Sequence, residues 1–127
     1  MGRRRLYFWM LVGWVALTIT LTSIPNLETP VDLPHADKLA HLGFYGVMGF
    51  LFALWRREAS DPVPRSILVA VLFIVVLGAL DEGHQSFIPG RSMEFNDWLA
   101  DMAGGGIGSL SSGIFPAVFP FLVTKRQ

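Results

Sequence analysis

The sequence predicts an all-α integral membrane protein, a four-helix bundle with both termini cytoplasmic. Three observations lead there. Apolar residues make up 52% of the 127 and charged residues 16%, against roughly 25% charged in soluble domains. The apolar residues gather in four runs, about 6–24, 39–55, 66–87 and 97–123. The charges sort between alternate connectors. This composition excludes a disordered, collagen-like or nucleic-acid-binding chain. With no cysteine, disulfides, thiolate metal sites and thiol chemistry are excluded too.

The first run carries no charge over nineteen residues, follows Arg3-Arg4-Arg5 and stops at Pro25. A bilayer core of about 30 Å needs roughly twenty apolar residues in helix, so this run can span. A cleaved signal peptide shares the basic start, but the run is long for one and no A-x-A-like site follows. The second run ends at Arg56-Arg57, and the third continues through Asp81 and Glu82 to about Phe87. The fourth closes before Lys125-Arg126, with Pro116 and Pro120 expected to kink its inner end. Connectors 25–36, 56–65 and 88–96 carry Pro, Asp and Asn, as turns do. One domain, 1–127, accounts for the chain.

Small residues predict how the spans pack. Gly43, Gly46 and Gly49 thin one side of the second, and Gly104/Gly108 and Gly105/Ser109/Gly113 repeat every four residues in the fourth. Such spacings let backbones approach where lipid removes the hydrophobic drive.

Orientation follows from the cations. Four spans put Arg3, Arg4, Arg5, Arg56, Arg57, Arg65, Lys125 and Arg126 on one side and Lys38 and Arg91 on the other. Eight of ten together mark the cytoplasmic side. Eight of the ten acids, all but Glu58 and Asp61, lie outside or near the outer ends. A multi-pass protein of the bacterial cell membrane is expected, with its polar chemistry facing out.

Three polar groups interrupt the runs at that level. Asp37, His41 and Tyr45 fall every four residues at the start of the second span, with Lys38 beside them. Asp81, Glu82, His84 and Gln85 end the third; Asp97 and Asp101 open the fourth, with Arg91 just before. Residues four apart share a helix face. At 1.5 Å per residue, Asp81, Tyr45 and Asp101 sit at similar depth, where an unpaired charge costs several kcal/mol. Convergence on one wet pocket is the expectation. Blander roles stand beside it: Asp37 and Asp97 as helix caps, Lys38 snorkelling to the interface, His41 as a packing residue.

The stretches Asp37-Lys38-x-x-His41-x-x-x-Tyr45, Asp81-Glu82-x-His84-Gln85, then Arg91 and Asp97 resemble the VanZ-like family of small bacterial membrane proteins. The resemblance covers about residues 20 to 110, and its most specific part is the acid-acid-x-His-Gln end of a membrane helix. It implies an envelope role, with glycopeptide (teicoplanin) resistance in the founding member, and supplies no reaction. Without extra domains the chain looks like the family's minimal unit.

Two functional readings remain open. In the first, the pocket binds or masks an envelope component or glycopeptide antibiotic; Asp37, Lys38, Tyr45, Gln85, Arg91, Asp97 and Asp101 are the candidate contacts. In the second, His41 or His84 is a general base tuned by Asp37 or Asp81, and Glu82 an acid, acting on a lipid-linked or wall-precursor substrate. Arg91 suits a phosphate or carboxylate clamp. No G-x-S-x-G, Cys or H-E-x-x-H supports a serine or zinc hydrolase. The acids and histidines suffice in number for a divalent ion, but no two histidines share a ligand spacing; no metal or cofactor is expected. The inner halves of the spans lack ionisable residues, which argues against transport. Membrane lipid and a lipid-linked or glycopeptide ligand are the expected partners; oligomeric state is not legible.

Overall fold

The computed structural model describes residues 1–27 and 34–124. Glu28, Asp32, Lys125 and Arg126, used above in the charge count, lie outside the described residues. Four helices run α1 (Arg3–Thr22), α2 (Ala36–Glu58), α3 (Val63–Gln85) and α4 (Phe95–Val118), followed by a 3₁₀ turn at Pro120–Leu122. At 1.5 Å per residue the helices of 20 to 24 residues are about 30–36 Å long, the thickness of a bilayer core.

Local sequence explains the helix ends. Asp37 in the first turn of α2 and Arg56 and Arg57 in its last match the macrodipole. Pro64 sits in the first turn of α3, where a missing N–H costs nothing. Neither Asp37 nor Asp97 is a cap: the capping positions are His35 and Glu94, and neither makes a side-chain capping bond. The fourth helix ends at Val118, short of the expected 123. Pro116 lies inside its last turn and Pro120 opens the separate 3₁₀ turn, because a second proline denies the ladder another N–H.

The helices alternate up and down. Trp14 of α1 donates from Nε1 to Phe44 O of α2 at 2.8 Å, and Trp98 of α4 to Val75 O of α3 at 3.0 Å. The second helix touches the other three, and its closest partner is α4. There the fit is backbone on backbone: a Cβ on Gly108 would strike Gly46 O, and one on Gly49 would meet Gly105 O and Ser109 Oγ. Gly43 takes no part, since a Cβ there meets nothing. The seam expected from small residues is thus Gly46 and Gly49 against the fourth helix.

Buried Tyr45, Met48, Leu51, Leu54, Ala70 and Ile74 form the centre. Outward, Leu68, Leu72, Val76 and Leu80 make an exposed apolar stripe four residues apart on α3, and Ile107, Leu110, Ile114 and Val118 line α4. An apolar exterior, with the carboxylates of Asp81, Glu82, Asp97 and Asp101 turned inward, suits lipid rather than water. Among the described residues three helices, α1, α2 and α3, are long and apolar enough to cross a membrane. The fourth is as long, but its Gly- and Ser-rich face is buried against its neighbours.

At the end bearing the amino terminus, Tyr7 donates to Leu122 O at 2.6 Å, and Glu58 accepts from Thr124 N and Oγ1 at 2.7 and 2.8 Å. These bonds tie the chain after α4 to the start of α1 and the end of α2.

Candidate functional site

The polar groups meet at the opposite end, where α1 and α3 finish and α2 and α4 begin. A helix rising past a neighbour brings its last turns level with the first turns of the next, so residues 41, 81 and 101 become neighbours despite their separation in sequence. Their carboxylates and rings are almost wholly inside: Tyr45, Asp81 and Glu82 are each 1% exposed and Asp101 0%.

Two networks share this interior. In the first, Asp81 accepts from Tyr45 OH at 3.0 Å through Oδ2 and from Thr22 Oγ1 at 2.8 Å through Oδ1. In the second, His41 Nδ1 lies 2.8 Å from Asp101 Oδ1. An ionised carboxylate can only accept, so His41 carries its proton on Nδ1 when Asp101 is charged. The same imidazole is 3.9 Å from Glu82 Oε1 through Nδ1 and 3.8 Å from Asp97 Oδ2 through Nε2. Its ring lies parallel to that of Tyr45, centroids 6.3 Å apart. Glu82 is anchored in turn by Glu94 N–H at 2.8 Å and Gln85 Nε2 at 3.3 Å.

Lys38 is the hub of the rim. Its Nζ donates to Asp37 at 2.7 Å, Asp97 at 2.9 Å and Glu94 at 3.0 Å. An ammonium among three carboxylates offsets the repulsion that their crowding creates, so Lys38 is an internal counter-ion and not merely a snorkelling side chain.

A cavity of about 520 Å³ opens beside this cluster between α1 and α2. Leu21, Leu27, Ala40 and Phe44 give it apolar walls; Thr18, Thr22, Asp37, His41, Tyr45 and Arg91 give it polar ones. That volume is in the range of small-molecule sites.

Several sequence expectations land elsewhere. The partner of His41 is Asp101, whereas Asp37 is held by Lys38 and Asp81 by two hydroxyls. His84 is exposed and faces Ser23, its Nε2 2.9 Å from that hydroxyl; it does not join His41. Arg91 lines the cavity while donating to the carbonyl end of α1, at 3.1 Å to Leu21 O and 3.5 Å to Ile24 O, which cations favour. The contribution of α1 was not foreseen. Thr18 and Thr22, one turn apart in an apolar run, were the available signal.

Among the described residues, two groups offer one ligand atom each within 4.8 Å of one another: His41, Glu82 and Asp97, and Asp37, Glu94 and Asp97. Lys38 bonds to all three members of the second. The first has no such ammonium at its centre.

Comparison with curated proteins and with solved structures finds no match. A family model described as VanZ/LLP1 matches residues 5–116, a stretch that holds every polar group of the cluster and the four helices but for two residues at the start of α1 and two at the end of α4. The chain belongs to the VanZ/LLP1 family.

Proposed function

We propose that this protein binds an amphiphilic component of the bacterial cell envelope at the outward-facing end of its bundle, and that this occupancy underlies a role in glycopeptide (teicoplanin-type) resistance. The observation that carries the reading is the cavity itself. Its Leu21, Leu27 and Phe44 walls run into the hydrogen-bonding side chains of His41, Tyr45, Thr22 and Arg91, so one compartment offers an apolar slot and a polar head. Ligand sites combine these two features. The position of the polar end supports access from the outer leaflet, given the positive-inside pattern of Arg56, Arg57 and Arg65 against Lys38 and Arg91.

Filling the slot tests this. Ala40→Phe adds a ring at a wall position whose own side chain makes no hydrogen bond. Cells expressing it at the same membrane level as the parent are expected to lose teicoplanin tolerance; unchanged tolerance overturns the reading.

A second reading has one observation in its favour. A buried carboxylate oriented on an imidazole that lines a cavity, as Asp101 is on His41, is the arrangement that fixes a general base. On this reading His41 takes a proton from a lipid-linked substrate, with Glu82 as the acid partner. Conversion of a supplied lipid-linked wall precursor by purified protein distinguishes it from binding.

A further inference from the structure

We infer that His41, Glu82 and Asp97 form a site for one first-row divalent cation, of the zinc or manganese class, beside the His41 imidazole. The inference rests on the cluster geometry and goes beyond the binding proposed above.

Every member of the trio has one atom anchored by a neighbour and another left toward the cluster. His41 Nδ1 is held by Asp101 at 2.8 Å, which leaves Nε2 with its lone pair. Asp97 Oδ1 is held by Lys38 at 2.9 Å, which leaves Oδ2, 3.8 Å from His41 Nε2. Glu82 Oε2 is held by Glu94 N–H at 2.8 Å, which leaves Oε1, 3.9 Å from the imidazole at its Nδ1 edge and bonded more distantly by Gln85 at 3.3 Å. Donor atoms around a tetrahedral ion with bonds of about 2.1 Å stand about 3.4 Å apart. The 3.8 Å between Asp97 Oδ2 and Nε2 needs a few tenths of an ångström of closure, and the trio as a whole, with donor atoms within 4.8 Å of one another, up to about 1.4 Å. The residues come from three helices, so the donors approach from different directions, as a coordination shell requires.

Two further facts point to a positive group there. Four buried carboxylates, Asp81, Glu82, Asp97 and Asp101, converge at this end; the cationic side chain bonded to them is Lys38, on Asp97. Among the described residues Asp101 is also fully buried with no hydrogen-bond partner on Oδ2, which faces Gly78 of α3, and a half-satisfied buried carboxylate is costly. A cation on Nε2 would draw electron density from the ring and strengthen the Nδ1–H donor that Asp101 already accepts. Carboxylate–histidine–metal relays are the common way such ligands are oriented.

The donor set selects the ion. One imidazole and two carboxylates, with no thiolate, suit zinc, manganese or iron(II) better than magnesium or calcium, which prefer all-oxygen shells. Three protein ligands leave a coordination position for water or a ligand oxygen.

The test is zinc titration of the full chain in lipid nanodiscs, with no envelope ligand added, so its result is separate from that of the binding proposal. One ion per chain is expected, with magnesium and calcium failing to compete at equal concentration. His41→Asn and Asp97→Asn should each weaken binding at least about 100-fold, and Asp101→Asn, a positioning change, about 10- to 100-fold. His35→Gln, on an exposed residue outside the cluster, should leave it unchanged. X-ray absorption at the zinc edge of the loaded wild type should show one imidazole and otherwise oxygen; this stands even where a variant fails to fold. Absence of stoichiometric binding to the folded wild type, full binding by His41→Asn, or an oxygen-only shell each overturns the inference.

Discussion

His41 and Asp101, on helices that begin at the same end of the bundle, join through Nδ1 and Oδ1 at 2.8 Å and so fix which way the imidazole faces. The ring cannot turn without leaving a buried carboxylate with neither oxygen bonded. Its far edge is therefore held toward Asp97 and the cavity beside α1. Orientation of this kind is what a ligand-holding or proton-accepting histidine needs.

The difference between holding and proton transfer can be read from isosteric variants. Glu82→Gln and His41→Asn keep approximate shape and hydrogen bonding while removing acid/base chemistry, which typically contributes 10²–10⁴-fold to a rate. With binding as the function, teicoplanin tolerance should fall modestly in Glu82→Gln and sharply in Ala40→Phe, scored at equal membrane levels. Abolition in Glu82→Gln with ligand binding intact would instead favour catalysis.

Tyr45→Phe should destabilise the bundle. It strips one of two hydroxyl donors from Asp81, a carboxylate 1% exposed, and an orphaned buried acceptor costs about 1–3 kcal/mol. Thermal unfolding in detergent gives the measure, and Thr22→Val, which removes the other donor at 2.8 Å, should act in the same direction. Because the two hydroxyls share one carboxylate, the double variant should depart from additivity.

Glycine replacements should separate the true helix seam from its neighbour. Gly108→Val drives a branched side chain into Gly46 O, an overpacking that costs about 1–3 kcal/mol or more. Gly43→Ala meets open space and should be neutral or stabilising by up to about 1 kcal/mol, since alanine is the better helix former. Equal melting temperatures for the two variants would contradict the seam.

Topology reporters should read cytoplasm when fused after Arg57 and exterior when fused near Asn26 or Arg91. The charge pattern makes this expectation, and inverted signals would place the cavity on the cytoplasmic side.

Much of the bundle was legible because membrane spans announce themselves: runs bounded by arginine pairs and prolines gave the four helices to within a few residues at most ends. The depth of Tyr45, Asp81 and Asp101 was also legible, since rise per residue is fixed. Pairing was not. Spacing along one helix identifies a shared face, as for Asp37 and His41, but not which residue of another helix that face meets. Hence Asp101, not Asp37 or Asp81, holds His41, and His84 turns to Ser23 although it sits three residues from Asp81. Thr22 was hidden for a related reason, because a hydroxyl in an apolar run satisfies itself on the preceding turn, as Thr18 and Thr20 do, and signals nothing until a partner helix is in place.

The contact of α2 with α4 through main-chain atoms has a mechanical consequence. With no side chain between Gly46 and Gly108, no change of rotamer can take up a shift between those two helices. The first helix is fastened differently, by side chains: Tyr7 and Leu11 pack into the core, and hydrogen bonds run from Tyr7 to Leu122 O, Trp14 to Phe44 O, Thr22 to Asp81, and Arg91 to Leu21 O. Because α1 forms one wall of the cavity, loosening that wall and undoing one bond of the carboxylate cluster are the same event, for Thr22 is at once a latch of α1 and a donor to Asp81.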